Sequence, residues 1–186
     1  MKKVLLVLAM VALTFGMNAQ EEYGTYKSGT ISASVTLDKG KVFLNLTKDG
    51  KYGLILTQKD RLALTTFLND SRIKFVEWSE KAVANSVKDM HKDIDKKSFR
   101  GIFSYGGWKI GTSSLRTIFW VEKDGTTNLY LYGSVMTSST NRYMKSDSAM
   151  VTITSEDDFN SLISIISDKT VNDFIEKKKT ATDIFN

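Results

Sequence analysis

Residues 44–56 read LNLTKDGKYGLIL, two alternating apolar series joined through Lys48-Asp49-Gly50. Apolar residues at every second position mark a strand with one buried face, and Asp-Gly between two such runs marks a hairpin. Register then decides the loop. A two-residue turn at Asp49-Gly50 would set Leu44 against Ile55 and Asn45 against Leu54. A three-residue loop with Gly50 left-handed sets Leu46 against Tyr52 and Leu44 against Leu54. The second choice keeps the longer apolar series on one face and is the expected one.

The pattern returns at residues 119–131, FWVEKDGTTNLYL, which align with 44–56 without a gap. With Lys123-Asp124-Gly125 as the loop, Phe119 pairs with Leu129 and Thr117 with Leu131, and Leu115 and Val121 join that core-facing set. The opposite face then carries Ile118, Trp120, Tyr130 and Tyr132, with Arg116 beside Tyr132. Those five residues form an aromatic strip where the first hairpins place mostly Thr, Ser and Asn. Exposed aromatics with an arginine suit contacts to sugar or peptide, so they are the candidate ligand face. The alternative is a strip covered by the long helix or the tail, with this hairpin central and two-sided.

Outward from these hairpins, Thr30–Leu37 alternates strictly, and Lys39-Gly40 reads as a two-residue turn pairing Leu37 with Val42 and Val35 with Leu44. Asp60 reads as the cap of a helix reaching at least Asn85. Leu64, Leu68, Phe75, Trp78 and Ala82 lie on one face of it, and Ile73, Val76, Val83 and Val87 form a second stripe. Such a helix is apolar on a broad front or bends near Asn69-Asp70-Ser71. Val87–Lys97 fits a helical continuation or a loop equally. Further strands are expected at Phe99–Tyr105, Leu115–Glu122, Thr126–Val135 and within Tyr143–Thr154. A helix capped by Ser155 follows, and the tail should form a short packed helix with a loose end.

The class is therefore α+β: antiparallel meanders with one long helix and one shorter C-terminal helix on one side. Lys-Asp-Gly is common hairpin chemistry and explains the echo by itself; a duplicated meander-plus-helix unit is the sharper reading. Strands followed by a helix, twice over, resembles the element order of the Whirly and PUR single-strand nucleic-acid binders. The resemblance is of order and not of residues, and it implies a nucleic-acid-binding-like fold as one alternative.

The amino terminus has its own meaning. Met1-Lys2-Lys3 precedes the apolar run Val4–Phe15, then Gly16-Met17-Asn18-Ala19 leads into Gln20-Glu21-Glu22. Basic end, apolar stretch and small residue are the order of a bacterial-style secretory signal, cut between Ala19 and Gln20. The run is short of the roughly 20 residues a membrane-spanning helix needs. Residues 20–186 are expected as a single exported domain, periplasmic or secreted. Cysteine is absent, which excludes disulfides, thiolate metal sites, cysteine nucleophiles and lipid attachment through cysteine. The formal charge of +5 falls by two without Lys2 and Lys3. So mild a balance does not call for a nucleic-acid or membrane partner.

Chemistry-bearing constellations are few. The single histidine, His91, stands among Asp89, Asp93 and Asp95, but Lys88, Lys92, Lys96 and Lys97 intrude, so a solvated charged face is expected and no metal or cofactor. Neither HExxH nor G-x-S-x-G is present. Gly106-Gly107 reads as a strand connection, not a phosphate cradle, because no helix starts after it. Asp147-Ser148-Ala149 has the form of a bacterial O-glycosylation sequon at Ser148. The leading functional expectation is a non-enzymatic exported protein that binds carbohydrate, peptide or protein through its sheet. A carboxylate-based envelope hydrolase is the alternative from a different class.

Overall fold

The computed structural model describes residues 20–25, 32–36 and 40–183. Eight strands form one antiparallel sheet in chain order: β1 (Gln20–Thr25), β2 (Ser32–Thr36), β3 (Val42–Asn45), β4 (Tyr52–Leu56), β5 (Met90–Ser104), β6 (Trp108–Val121), β7 (Thr127–Gly133) and β8 (Ala149–Ile153). Helix α1 (Gln58–Ala84) separates β4 from β5, and α2 (Glu156–Ile166) and α3 (Asp168–Asp183) follow β8. The α+β class expected from the sequence is the one found. Four strands and a helix occur twice in succession, because β1 supplies a fourth strand to the first half. The expected signal segment 1–19, with its cleavage site at Ala19, lies outside the described residues.

Both Lys-Asp-Gly loops take the expected form. Leu44 pairs with Leu54 and Phe119 with Leu129. Gly50 (φ 67°) and Gly125 (φ 93°) hold the left-handed position that a side chain would resist. The β2–β3 connection differs from expectation. Val35 pairs with Val42 and Ala33 with Leu44, a register shifted by two residues along β2. A shift of two preserves which side chains face the core, so apolar alternation could not distinguish the two registers. Leu37 itself lies outside the described residues.

Helix α1 begins one turn earlier than Asp60 suggested. Thr57 is the N-cap, accepting from the Asp60 backbone N–H, while the Asp60 carboxylate accepts from the Thr57 N–H at 3.1 Å. Asp60 is thus the third residue of a capping box, a position its sequence spacing allows equally well. The first apolar stripe is the buried one: Leu64, Leu68, Phe75 and Ala82 are all at most 5% exposed. The second is split: Val76 and Val87 are partly buried against the core, while Ile73 and Val83 lie on the surface. The helix is continuous through Asn69-Asp70-Ser71, where the Ser71 hydroxyl lies 2.9 Å from Thr117 Oγ1 and 2.9 Å from the Phe67 carbonyl oxygen. That contact ties helix to sheet with a buried polar pair.

The core lies between α1, α2 and the helix-side face of the sheet. Phe119, fully buried, meets Phe75 and Trp78 of α1 edge-on, and Phe75 also packs against Phe159 of α2. Tyr52 reaches across this face to place its hydroxyl 2.6 Å from Ser113 Oγ and to donate to the Ser134 carbonyl at 2.7 Å. Gly101 and Gly111 face each other across β5–β6, and the segment after β7 passes over them, dropping Met136 into the space. On the opposite face, Phe43, Ile55 and Ile102 form a small buried cluster. The first hairpins are therefore not simply wet on that side.

Of Val87–Lys97, readable as helix or loop, Val87–Asp89 form a short connection and Met90–Lys97 belong to a 15-residue strand. Its first part pairs with β6 alone, because β4 meets β5 only through Tyr52, Gly53 and Leu54. Among the described residues, Met90–Ser98 is thus an open sheet edge. The register slips between Asp93 and Asp95, and five of these nine residues are charged. A bulge and charges are how sheet edges avoid pairing with other chains.

The tail forms a full 16-residue helix, longer than expected, anchored at its start. Arg61 of α1, nearly buried, donates to the Gly40 carbonyl at 3.0 Å and to Asp168 Oδ1 at 2.5 Å. Asp168 also accepts from Gln58, and that bond first, with Arg61, holds its carboxyl below the usual carboxylate range. A depressed folded pKa gives stability present above about pH 4 and lost as pH falls through the lowered value. Asp168→Asn should therefore cost about 1–2 kcal/mol at pH 7, discounted because Asp168 is half exposed. The deficit should shrink in urea titrations as pH falls through that lowered value. A deficit independent of pH would show that the charge is not what anchors α3.

Candidate functional site

The long β5–β6 hairpin alternates without interruption from Leu115 to Val121. Leu115, Thr117, Phe119 and Val121 are all buried against the helices, and the residues between them are half-buried on the other face. Strand β7 continues the arrangement: Tyr130 stands opposite Ile118 and Tyr132 opposite Arg116. All five expected strip residues, Arg116, Ile118, Trp120, Tyr130 and Tyr132, are thus side by side on the face away from α1. Neither α1 nor α2 covers them, since both helices pack on the face that holds Phe119 and Leu131. The covered-strip alternative, as far as it invoked the long helix, does not hold.

The strip is more ordered than a row of exposed rings. Trp120 stacks on His91 of β5, with centroids 4.7 Å apart and planes 14° from parallel. Tyr130 meets Trp120 edge-on at 5.8 Å. The Tyr130 hydroxyl donates to Glu122 Oε1 at 2.9 Å, and Asn128 donates to the same oxygen at 3.1 Å. That carboxylate, followed by partial burial, raises the Tyr130 pKa. Farther along, Arg116 lies over the Tyr132 ring at 5.4 Å and approaches Asp93 Oδ2 at 3.4 Å. Each of these rings therefore has a neighbour packed against it.

Two shallow depressions meet at the Asp93–Arg116 pair. One runs over His91, Ile118 and Trp120. The other is floored by Ser114 and Ser134 and walled by Lys96, Arg116 and Tyr132. The Ser114 hydroxyl is buried there with no hydrogen-bond partner. An aromatic end, a central ion pair and a hydroxyl-lined end thus lie in series along β6. Such a trough can take a chain-like ligand that offers apolar surface at one end and hydrogen-bonding groups at the other.

The sequence reading missed the β5 contribution: His91, Asp93 and Lys96. It placed His91 on a helical or irregular segment, where His91 and Asp95 would share a face. On the strand, His91 and Asp93 share the strip's face, and the bulge before Asp95 breaks the spacing. The signal was present as Met90, Lys92 and Ile94 alternating with His91 and Asp93, but only one of these is a large aliphatic. No group of three or more His, Cys, Asp or Glu side chains among the described residues is arranged to hold a metal ion. Gly106-Gly107 closes the β5–β6 hairpin, with the Tyr105 N–H donating to the Gly107 carbonyl at 2.8 Å. Ser148 is exposed at the end of the 134–148 segment, immediately before buried Ala149 opens β8.

No known protein family, characterised protein or solved structure matches this chain.

Proposed function

We propose that this chain is an exported, non-enzymatic binding module that takes an extended glycan or peptide along the trough on β5–β7. The observation that carries this reading is the aromatic strip on the face opposite α1. A sheet face turned away from its helices is ordinarily polar, whereas this one gathers Trp120, Tyr130, Tyr132 and Ile118 beside an arginine. Trp, Tyr and Arg are enriched among the residues that dominate interface binding energy, the two aromatics because they bury much area for little lost side-chain freedom. The Asp93–Arg116 pair and Lys96 supply the charged contacts that would fix a ligand's orientation. Export follows from the order of charges and apolar residues in 1–19.

The test uses protein recovered outside the cytoplasm, whose intact mass should begin at Gln20. A mass retaining Met1–Ala19 ends the export half of the reading. Soluble envelope glycans and extended peptides are then titrated while the indole N–H resonances are followed. A bound ligand should shift Trp120 and leave Trp78, on the helix side, unmoved. Tyr132→Ala and Arg116→Ala should each weaken binding about 10-fold, the cost of losing one interface anchor of about 1.4 kcal/mol. Binding that survives both substitutions removes the trough as the site.

A further inference from the structure

One end of the sheet holds a second group of exposed aromatics, roughly 40 Å along β6 from Trp120 at about 3.3 Å per residue. Tyr105 is 51% exposed and Trp108 44%, on either side of Gly106-Gly107 at the β5–β6 tip. Ile110 and Val135 are exposed beside them and share a shallow depression. Two other loops are fastened to this end. The β3–β4 turn is held by the Ser104 N–H donating to the Lys51 carbonyl at 3.0 Å. The 134–148 segment is held by the Ser139 N–H donating to the Ile110 carbonyl at 2.8 Å, and it carries Tyr143 at 75% exposure.

The charge at this end is one-sided. The three loops and the start of β6 carry Lys48, Lys51, Lys109, Arg142 and Lys145. Their acids are Asp147 and Asp49, and Asp49 is held by Lys51 at 3.0 Å. Backbone and side-chain bonds from Lys51 and Thr47 push the Asp49 pKa down to about 2, so it stays charged and its partner stays engaged. Arg142 lies over the Tyr143 ring at 4.9 Å, which joins a cation to the most exposed aromatic.

We propose that this end docks on an anionic lipid surface, with Tyr105 and Trp108 entering the headgroup layer and the basic residues facing lipid phosphates. Tyr and Trp favour that layer because their rings are apolar and their O–H and N–H groups reach water. Basic residues near an anionic bilayer each strengthen binding about 5-fold. The charge complementarity selects anionic lipid over a neutral surface. Gly106 and Gly107, at φ 55° and 116°, make the tight turn that sets Tyr105 and Trp108 on either side of the tip.

Flotation with phosphatidylglycerol vesicles and with phosphatidylcholine vesicles tests the proposal. Paired proteins that differ only at the substituted positions are compared, so residues 1–19 contribute equally to each. The parent should float with phosphatidylglycerol, much less with phosphatidylcholine, and should be released by high salt. Tyr105→Ser with Trp108→Ser should weaken binding at least 10-fold, and Lys109→Glu with Arg142→Glu at least as much, with unchanged melting curves. Quenching by brominated acyl chains should disappear in Trp108→Phe, which keeps a ring at the tip. Equal binding to both lipids, full binding by the serine pair, or no flotation by the parent overturns the proposal. Retention on a single-stranded oligonucleotide without vesicle binding overturns it in favour of a polyanion partner.

Discussion

Replacing Phe119 by alanine should destabilise the chain by about 3–5 kcal/mol, while replacing its neighbour Trp120 should cost about 1–2. Phe119 is fully buried, with Phe75 and Trp78 against its ring. Removing it deletes transfer energy and leaves a cavity that rigid rings on two helical turns cannot collapse to fill. Trp120, one residue on, contacts mainly His91 and Tyr130 on the other face. Its loss removes stacking but opens no enclosed void, because solvent enters. Urea unfolding of both variants checks the difference. Equal, large losses would mean that the strip is a second core and not a ligand face, and the binding proposal would lose its foundation.

Gly111→Ala should cost about 2–3 kcal/mol and resist rescue, whereas Gly101→Ala, of similar cost, should be relieved by trimming Met136. The two glycines face each other across β5–β6, yet a side chain at each would strike different things. A Cβ at Gly101 would come within 2.0 Å of the Met136 sulfur, the far end of a flexible chain. At Gly111 it would come within 2.5 Å of the Thr137 carbonyl oxygen, which is backbone. Gly101→Ala with Met136→Ala should therefore be more stable than the sum of the single effects predicts, by about 1 kcal/mol or more. The same partner change should give Gly111→Ala little. If both glycine variants respond alike to Met136→Ala, the crossing segment does not approach β6 as described.

What the sequence disclosed follows from where its signals are periodic. Ile118 to Val121 is continuously apolar, so face, register and the five strip residues follow from the three-residue Lys123-Asp124-Gly125 loop, by analogy with the hairpin at residues 44–56. Leu64, Leu68, Phe75 and Ala82 gave the buried stripe of α1 by their helical spacing. Ile73 and Val83 misled because helical spacing counts apolar residues without knowing how wide a face the sheet can cover. Met90–Ser98 was illegible because it pairs on one side only. An edge strand needs charges more than it needs alternation, and its bulge removes the period. His91, Asp93 and Lys96 were missed with it. Gly101 and Gly111 carry no pattern at all, since their meaning depends on a segment more than twenty residues later.

The three-residue contact between β4 and β5 has a bearing on how the chain opens. Across that seam only Tyr52–Phe103, Gly53–Ile102 and Leu54–Gly101 are paired, whereas β5 and β6 share fourteen pairs. Amide protons at the seam should exchange through a local opening well before those at the centre of β6, which exchange only when the whole molecule unfolds. The unit that opens there is β1–β4, because α1 packs on Phe119 and Phe159 of the later elements and stays with them. A cut between Asn85 and Asp89 would leave α1 on one fragment and the surfaces that bury Phe75 on the other, so the two fragments should need each other to fold and would be a natural pair to try in complementation.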